Sequence, residues 1–508
     1  MQQEGCIKMR KFCGRKKITI PVSKEKFDAN PSKYIEHYLG KCVSINNQNA
    51  NDYEVLNDYY CGKQKILLKQ RLNGDTENNN IIVVNHVFRQ VEFKKGVMVG
   101  NPITYSLAVS DKSTEDLTLL QRYFSDSCKS SKDIDKYEDL YIGGIALQFI
   151  IPRTDEFDKK NEAPFEIYNI GIGNAFKVYS SDAAKTPLFD VVISETIDTD
   201  FKTKKLYTVY FVTPKENDGY CVSVKYDDRY KKIEKEGKIQ AKKEPMKFLP
   251  LVEYALNKNR MGIVELVMAI QDGLNIIQSN QIDDIVDFVN SYFVFENQDL
   301  GKDWEKKVKK FRANRAILLR TKNPALPAKL NLLKQTMQNT EINAFFELML
   351  QEMYDIVACP KTSGGVTSGG DTGQARLIGN GWESAQNQAQ VDISYSLQYE
   401  KECLRKILYV CKEINVLSNL FVADIDIKYS INMSNNILTK TQALQNLYDM
   451  NVPYEDALNI TNVTSDTHGL AEKWAKNDAE QKERESKSNQ EKSKTDSNAT
   501  NLDSDKIE

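Results

Sequence analysis

Residues 249–297 contain the feature that most constrains the fold: a short extended segment, a polar turn and then one long amphipathic helix. Apolar residues recur in this helix at every third or fourth position, which is the spacing of a single buried stripe. The stripe residues are Ile263, Leu266, Ile270, Leu274, Ile277, Ile285 and Phe288. The charged residues between Met261 and Asn290 are Glu265, Asp272, Asp283, Asp284 and Asp287, without any Lys or Arg. Such a helix is expected in a ring of identical subunits that surrounds a negatively charged hole. It is equally expected on the surface of a monomer, with its apolar stripe packed on the core and its acidic residues in solvent.

Composition narrows the class of protein. A chain of 508 residues can form several domains, and 28% charged with 41% apolar residues indicates a soluble globular protein. The net charge of −2 does not by itself indicate a nucleic-acid binder. The nine cysteines are scattered without a Cys-x-x-Cys pair, so we predict a reduced cytosolic protein without a zinc site. The basic N-terminus is not followed by an apolar stretch, and no run approaches the ~20 apolar residues of a membrane span, so neither a signal peptide nor a membrane helix is predicted.

Secondary-structure patterns predict an α+β first half followed by a more helical second half. In the first half we expect helices over 24–70 and 115–140, strands over 81–110 and 142–226, and a surface hairpin or loop over 227–247. In the second half we expect a helix over 336–358, a Gly/Ser/Thr-rich loop over 359–374, a long helix over 375–415, a strand over 424–432 and short helices up to 480. The polar tail beyond residue 481 is expected to be disordered.

The motifs do not indicate an enzyme. The three histidines lie in no recognisable nucleophile motif, and no His-Glu-x-x-His or Gly-x-Ser-x-Gly is present. The Gly-rich loop has Thr372-Gly373-Gln374 where a phosphate-binding loop has Gly-Lys-Ser, and it follows a helix rather than a strand, so we predict no nucleotide and no other cofactor. The loop is either a plain helix connector or a mobile loop that moves against a passing ligand.

A basic segment follows the acidic helix. Residues 301–334 contain eleven Lys or Arg against Asp303 and Glu305. The segment could be an ordinary solvated face, or it could contact DNA phosphates or an acidic partner protein. An acidic block followed directly by a basic block favours a functional contact, because an ordinary solvated surface tends to mix charges of both signs. Within it, AILLR and AKLNLLK suggest a small strand pair.

In this order, the segments resemble the portal (head-to-tail connector) proteins of tailed bacteriophages, of the siphophage type. The resemblance is collinear over roughly residues 50–475 and depends on the order and spacing of the segments rather than on one motif. The segments that carry it are 53–66, 78–105, 141–151, 166–182, 248–295, 341–404 and 427–444.

The resemblance implies an α+β portal fold in a twelvefold ring, with an axial tunnel for double-stranded DNA. It implies the following divisions: an N-terminal basic arm (1–23), an α+β wing (24–260), a first stem helix (261–290), a small α/β clip (291–335), a second stem helix (336–358), a tunnel loop (359–374), a long wing helix (375–415), a mainly helical crown (416–480) and the tail (481–508).

The resemblance also implies roles for individual residues. The acids expected to line the tunnel and repel DNA phosphates are Asp272, Asp283, Asp284 and Asp287. The tunnel loop would contribute Lys361, Ser363, Gly364, Gly365, Gly369 and Gly370, with Lys361 as the best candidate for a phosphate contact. The basic surface of the clip would comprise Lys306, Lys307, Lys309, Lys310, Arg312 and Arg315.

The implied partners are further copies of the chain, double-stranded DNA, the terminase motor, the major capsid or scaffolding proteins and the head-completion adaptor. The implied location is the portal vertex of the virion, after assembly in the host bacterial cytoplasm and without a membrane. The alternative hypothesis is a soluble nucleic-acid-binding protein that uses residues 301–334 as its binding face.

Overall fold

The computed structural model describes most of the chain. The described residues are 14–69, 79–108, 114–197, 203–214, 219–235, 238–239, 241–289, 292–296, 303, 306, 329–333, 339–361, 381–431, 437–450, 452–461, 470–471 and 473–480. The helices are α1 (Lys24–Ala29), α2 (Pro31–Tyr60), α3 (His86–Val99), α4 (Thr114–Asp126), α5 (Lys129–Gly143), α6 (Ile263–Val289), α7 (Asn339–Ile356), α8 (Trp382–Glu413), α9 (Ile437–Asp449) and α10 (Tyr454–Thr461). The strands are β1 (Ile18–Ile20), β2 (Thr104–Leu107), β3 (Ile145–Pro152), β4 (Phe165–Ile170), β5 (Ala175–Ser180), β6 (Pro187–Ile197), β7 (Thr203–Val212), β8 (Cys221–Tyr226), β9 (Glu234–Lys235), β10 (Lys238–Ile239), β11 (Ala241–Lys243), β12 (Leu251–Ala255), β13 (Tyr292–Glu296), β14 (Lys329–Leu333) and β15 (Ile425–Lys428). This mixture of long helices and mostly antiparallel sheets confirms the predicted α+β class.

The largest sheet has six strands in the order β1-β5-β6-β7-β8-β11. β1 is parallel to β5, and the other neighbours are antiparallel. Helix α2 packs on this sheet, and its Ile35 and Leu39 share a buried cluster with Val178 and Phe189. The apolar positions of α2 and of alternate strand residues therefore meet in one layer, as expected for a helix on a sheet.

Residues 14–23, which the sequence analysis places in an N-terminal arm, pack into this sheet. Ile18 pairs with Val178 across the parallel β1–β5 contact, and both Ile18 and Ile20 are buried. The described part of the arm is therefore held by the body of the protein, because its alternating isoleucines complete the apolar face of the sheet.

A second sheet, ordered β12-β3-β4, packs against other elements on both of its faces. One face of β3 contributes Ala146 and Ile150 to the main core, which also contains residues of α5 and α8. The other face contributes Leu147 and Phe149 to a smaller cluster with Ala175 of the large sheet. Because both faces are covered, every residue of β3 from Ile145 to Ile150 is buried.

Residues 86–99 form helix α3 and residues 81–85 form no strand, so the prediction of strands over 81–110 is wrong except at β2 (Thr104–Leu107), the only strand among the described residues of this region. The buried positions Val87, Gln90, Val91 and Lys94 follow the three-to-four spacing of a helix. Asn85 begins the helix by accepting a hydrogen bond from the Phe88 N–H. The many valines, which favour a strand, are overridden by packing against α5 and α6.

The other predicted elements of both halves are largely confirmed. The helices expected over 24–70, 115–140, 261–290 and 336–358 are present, and so is the small hairpin within 227–247. The predicted strand at AKLNLLK is β14, which pairs with β13. The AILLR segment lies outside the described residues, so its predicted pairing stays a prediction.

Candidate functional site

Helices α6 and α7 pack side by side and antiparallel. A Cβ atom on Gly273 would lie 2.7 Å from Cε of Met349, so glycine allows the helices to approach closely there. Two turns further along α6, Gln281 donates a hydrogen bond to Asn343, which lies earlier in α7. The paired strands β13 and β14 come between the two helices in the chain.

The beginning of α6 is anchored by a buried ion pair. Nη2 of Arg15 lies 3.0 Å from Oε2 of Glu265, and neither side chain is exposed to solvent. The backbone N–H groups of Gly14 and Gly262 also donate to Glu265. Burial raises the pKa of Glu265 despite these partners. A Cβ atom on Gly262 would lie 2.0 Å from the carbonyl oxygen of Ile142, so this entry to the helix requires glycine.

The face of α6 that is buried differs from the predicted stripe. Ile263 and Leu274 are buried as predicted, but Leu266 and Ile285 are exposed. The buried face continues instead through polar residues spaced four apart, which are Gln271, Asn275, Ser279 and Asp283. These four residues are called the polar ladder below.

The polar ladder binds the backbone of residues 80–86. N–H groups of His86, Val84, Ile82 and Asn80 donate, in this order, to Gln271 Oε1 at 3.2 Å, Asn275 Oδ1 at 3.3 Å, Ser279 Oγ at 3.1 Å and Asp283 Oδ1 at 2.8 Å. Four residues of helix rise by about 6 Å and two extended residues by about 6.6 Å, so the two periods stay in register over this length. The helix side chains thus take the place of a neighbouring strand for this segment.

Two of the four acids predicted to line a tunnel are bound within the chain. Asp272 accepts from the Tyr59 hydroxyl at 2.8 Å and from Lys65 at 3.1 Å. Asp283 pairs with Lys69 at 2.9 Å and is buried. Burial alone would raise the pKa of Asp283, but hydrogen bonds from Asn80 and Lys69 outweigh it and hold this pKa below its usual value. Lysines of the same chain therefore balance both charges.

The other predicted site residues are only partly described. Asp284 and Asp287 lie in the backbone of α6, but their side chains fall outside the described part of the chain. Lys361 pairs with Glu347 of α7 at 2.5 Å. The remaining tunnel-loop residues, Ser363, Gly364, Gly365, Gly369 and Gly370, lie outside the described residues. Lys306 is exposed and 3.8 Å from Asp303, whereas Lys307, Lys309, Lys310, Arg312 and Arg315 also lie outside them. The roles of all these residues stay predictions.

A buried ionic cluster between α5 and α8 was not predicted from the sequence. Glu400 lies 2.5 Å from Nζ of Lys129 and 3.1 Å from Nζ of Lys136, and accepts a hydrogen bond from Tyr105 at 2.7 Å. Burial would raise the pKa of Glu400, but the two ammonium groups outweigh it and lower this pKa strongly. Asp133 bridges the same two lysines. In the sequence, Lys129, Asp133 and Lys136 of α5 have the spacing of charged residues on a solvent-exposed helix face. Their burial depends on Glu400, which lies on a helix far away in the chain.

A sequence model of the family described as phage portal protein, SPP1 Gp6-like, matches residues 39–486. The chain belongs to this family of phage portal proteins. The match includes α6, α7 and α8 together with the segments between them. No curated protein matches the chain. Portal proteins are structural components of the phage head that assemble into rings, so this chain is a portal subunit of a tailed phage. None of the described helices is long and apolar enough to cross a membrane.

Proposed function

We propose that this portal subunit closes into a twelvefold ring at one vertex of the capsid and that double-stranded DNA passes through the ring during packaging and ejection. In this proposal α6 and α7 are the two stem helices, β13 and β14 belong to the clip, and α8 is the long wing helix. The elements up to β12 form the wing, and those after α8 form the crown. The ring meets the terminase motor and later the head-completion adaptor through the clip.

One observation carries the proposal: the antiparallel α6–α7 pair leaves large apolar side chains exposed along its length. Ile276 and Ile285 of α6 and Phe345 and Leu348 of α7 are each about half exposed. Fully burying one such side chain gains about 1.5–3 kcal/mol, so leaving several uncovered is unfavourable for a monomer. A ring places one face of each subunit against a different face of its neighbour, which would cover them.

The charge of α6 supports its place beside DNA. The helix has no Lys or Arg, so a wall built from it would not hold phosphates by direct ion pairs. Because Lys65 and Lys69 balance Asp272 and Asp283, the net repulsion is weaker than the sequence suggests. In the proposal, Asp284 and Asp287 contribute most of the remaining negative charge, and a weakly repelling wall lets DNA slide.

The proposal is tested by particle size and shape. Mass photometry and negative-stain microscopy of the purified chain should show hollow rings of about a dozen subunits. Replacing Phe345 and Leu348 together by Asp should give monomers, because the uncovered α7 face would become charged. The matched control is Ile197→Asp at the exposed end of β6, which should leave the rings intact. Wild-type protein that stays monomeric at every concentration, and binds DNA through residues 301–334, would instead support the nucleic-acid-binding alternative.

A further inference from the structure

Lys94 of α3 is a buried cation without a partner among the described residues. Its side chain lies inside the protein with 3% of the residue exposed, and its Nζ atom has no hydrogen-bond acceptor there. Burial lowers the pKa of Lys94. Buried ammonium groups are almost always paired, because removing their hydration without compensation is very unfavourable. Within the part of the chain that the structure describes, no group completes this position.

Lys94 lines a pocket of about 140 Å³ where α3, α5, α6, α7 and α8 meet. Among the described residues, the carboxylate whose charge acts on Lys94 is Asp392, but its hydrogen bonds come from other groups. Its Oδ2 accepts from the Tyr141 hydroxyl at 3.0 Å and its Oδ1 from Gln388 at 2.9 Å. Asp392 therefore attracts Lys94 only through space, and the ammonium remains available to a further acceptor.

The rim of this pocket is apolar and exposed. Leu266 of α6 is 44% exposed, and Ile356 at the end of α7 and Val391 of α8 are each 48% exposed. A small anion could pair with Lys94, but it would leave these three aliphatic side chains in water. A protein surface can cover the apolar rim and insert one side chain into the pocket. An acidic side chain fits best, because its methylene groups would contact the apolar entrance and its carboxylate would pair with the Lys94 ammonium.

We propose that this pocket receives an aspartate or glutamate side chain from a second copy of the chain, which pairs with Lys94 while its surroundings cover Leu266, Ile356 and Val391. The inference rests on the proposed ring, because a closed ring sets unlike faces of neighbouring subunits together. It adds a specific charged contact beside the apolar side chains that the ring would cover. The lysine stem has four rotatable bonds, so its ammonium can turn toward the entering carboxylate.

The first test compares Lys94→Met with Lys95→Met. Lys95 is the adjacent residue, but it pairs within its own chain with Glu92 and Glu138. Lys94→Met should weaken subunit association by roughly thirtyfold or more, because it leaves the partner's acid buried and unpaired. The same variant should raise the thermal unfolding midpoint of the monomer, because it removes an unpaired buried charge. Opposite effects on ring and monomer would not arise from a purely structural lysine.

The second test identifies the partner in wild-type rings. A carbodiimide joins an amine to a carboxylate that touches it, and rings assembled from isotope-labelled and unlabelled subunits distinguish links within a chain from links between chains. We expect Lys94 to be joined to an Asp or Glu of another copy. A link only to Asp392 of the same chain, no link at Lys94, or Lys94→Met rings that assemble like wild type would each overturn the inference. Acetate that stabilises the monomer through Lys94 without any change in ring assembly would also overturn it, in favour of a small anion. Wild-type protein that forms no ring would refute the proposed function itself.

Discussion

At the scale of single residues, the strongest constraints are ionised groups inside the protein. Glu400 connects α8 to two lysines of α5, and every one of these side chains is buried. A buried charge is tolerated only while its partners remain, so this contact fixes how α8 sits on the first half of the chain. Neutral side chains of the same size could pack there, but they would not specify one alignment as strictly.

Replacing Glu400 by Gln should lower the free energy of unfolding by about 3–5 kcal/mol, because Lys129 and Lys136 would then share only Asp133. Urea unfolding of the monomeric Phe345→Asp/Leu348→Asp background measures this without interference from assembly. Glu383→Gln, at an exposed position in the first turn of α8, should change the midpoint little. Equal midpoints for the two variants would show that Glu400 is not a structural anchor.

A second residue-scale prediction concerns pH. Burial raises the pKa of Asp190 to about 6, although Lys177 and Lys406 lower it. Because the unfolded chain then loses this proton at lower pH than the folded chain, Asp190 should reduce stability as the pH rises from about 4 to 6. Asp190→Asn should flatten the dependence of the urea midpoint on pH in this window. Asp139, whose pKa burial also raises to about 6, should leave a smaller slope in the variant. An unchanged slope would mean that Asp190 is ionised at both ends of the window.

At the scale of elements, the polar ladder explains how residues 80–86 are held without a sheet. Each side chain of the polar ladder accepts from a backbone N–H of this segment. The His86 N–H also donates to the Val84 carbonyl, so it is the loss of Asn275, Ser279 or Asp283 that would leave a backbone donor without its acceptor. The side chains of the polar ladder all lie on α6, and the N–H groups that they accept from lie in residues 80–86. The segment and α6 should therefore open and close together.

Ser279→Ala should speed amide exchange of the segment by roughly tenfold, because the Ile82 N–H loses its acceptor. Hydrogen–deuterium exchange of a peptide that covers residues 80–86 provides the measurement. Ser394→Ala is the matched control, since Ser394 only bonds the preceding turn of its own exposed helix face. Exchange that is equally slow in both variants would show that the ladder does not hold the segment.

The sequence predicted those elements whose signal is local. The periodicity and length of α6 and α7 were sufficient to place both helices within three residues at each end. The buried face of α6 could not be predicted, because Gln271 and Asn275 are buried only through donors almost two hundred residues earlier in the chain. Helix α3 was missed because its valines favour strands and its buried Lys94 does not look like a core residue. The ionic cluster of Glu400 was not predicted, because the pattern of charges along one helix does not show which residue of another helix packs against it.

At the scale of the whole molecule, the proposed function assigns the two blocks of opposite charge to different contacts, the acidic helix to the ring and the basic segment to docking. The acidic helix belongs to the packed body of the subunit, whereas Lys306 of the following basic segment is exposed. In the proposed ring, charge changes in the basic segment should therefore affect partners more than subunit contacts.

Replacing Lys306, Lys307, Lys309 and Lys310 together by Glu should leave the rings intact but weaken the binding of terminase, because attraction becomes repulsion. Microscopy measures the rings, and co-sedimentation with terminase at low and high salt measures docking. The control reverses four exposed lysines of the first half of the chain, which are Lys26, Lys160, Lys205 and Lys242. Rings that bind terminase like wild type after the first change would contradict the proposed role of the clip.

Helix α6 is held by apolar packing at one end and by hydrogen bonds further along, so the stability of its two parts depends differently on temperature. Near its beginning, Val264 and Val267 are buried among apolar neighbours, whereas further along the helix is held by the polar ladder. Exposing apolar surface increases heat capacity and exposing polar surface decreases it, so the free energies of the two attachments vary differently with temperature. Cooling weakens the apolar end, whereas the hydrogen-bonded end gains from its enthalpy. The part of α6 that releases first should therefore change between a cold and a warm environment, although the sequence and its contacts stay the same.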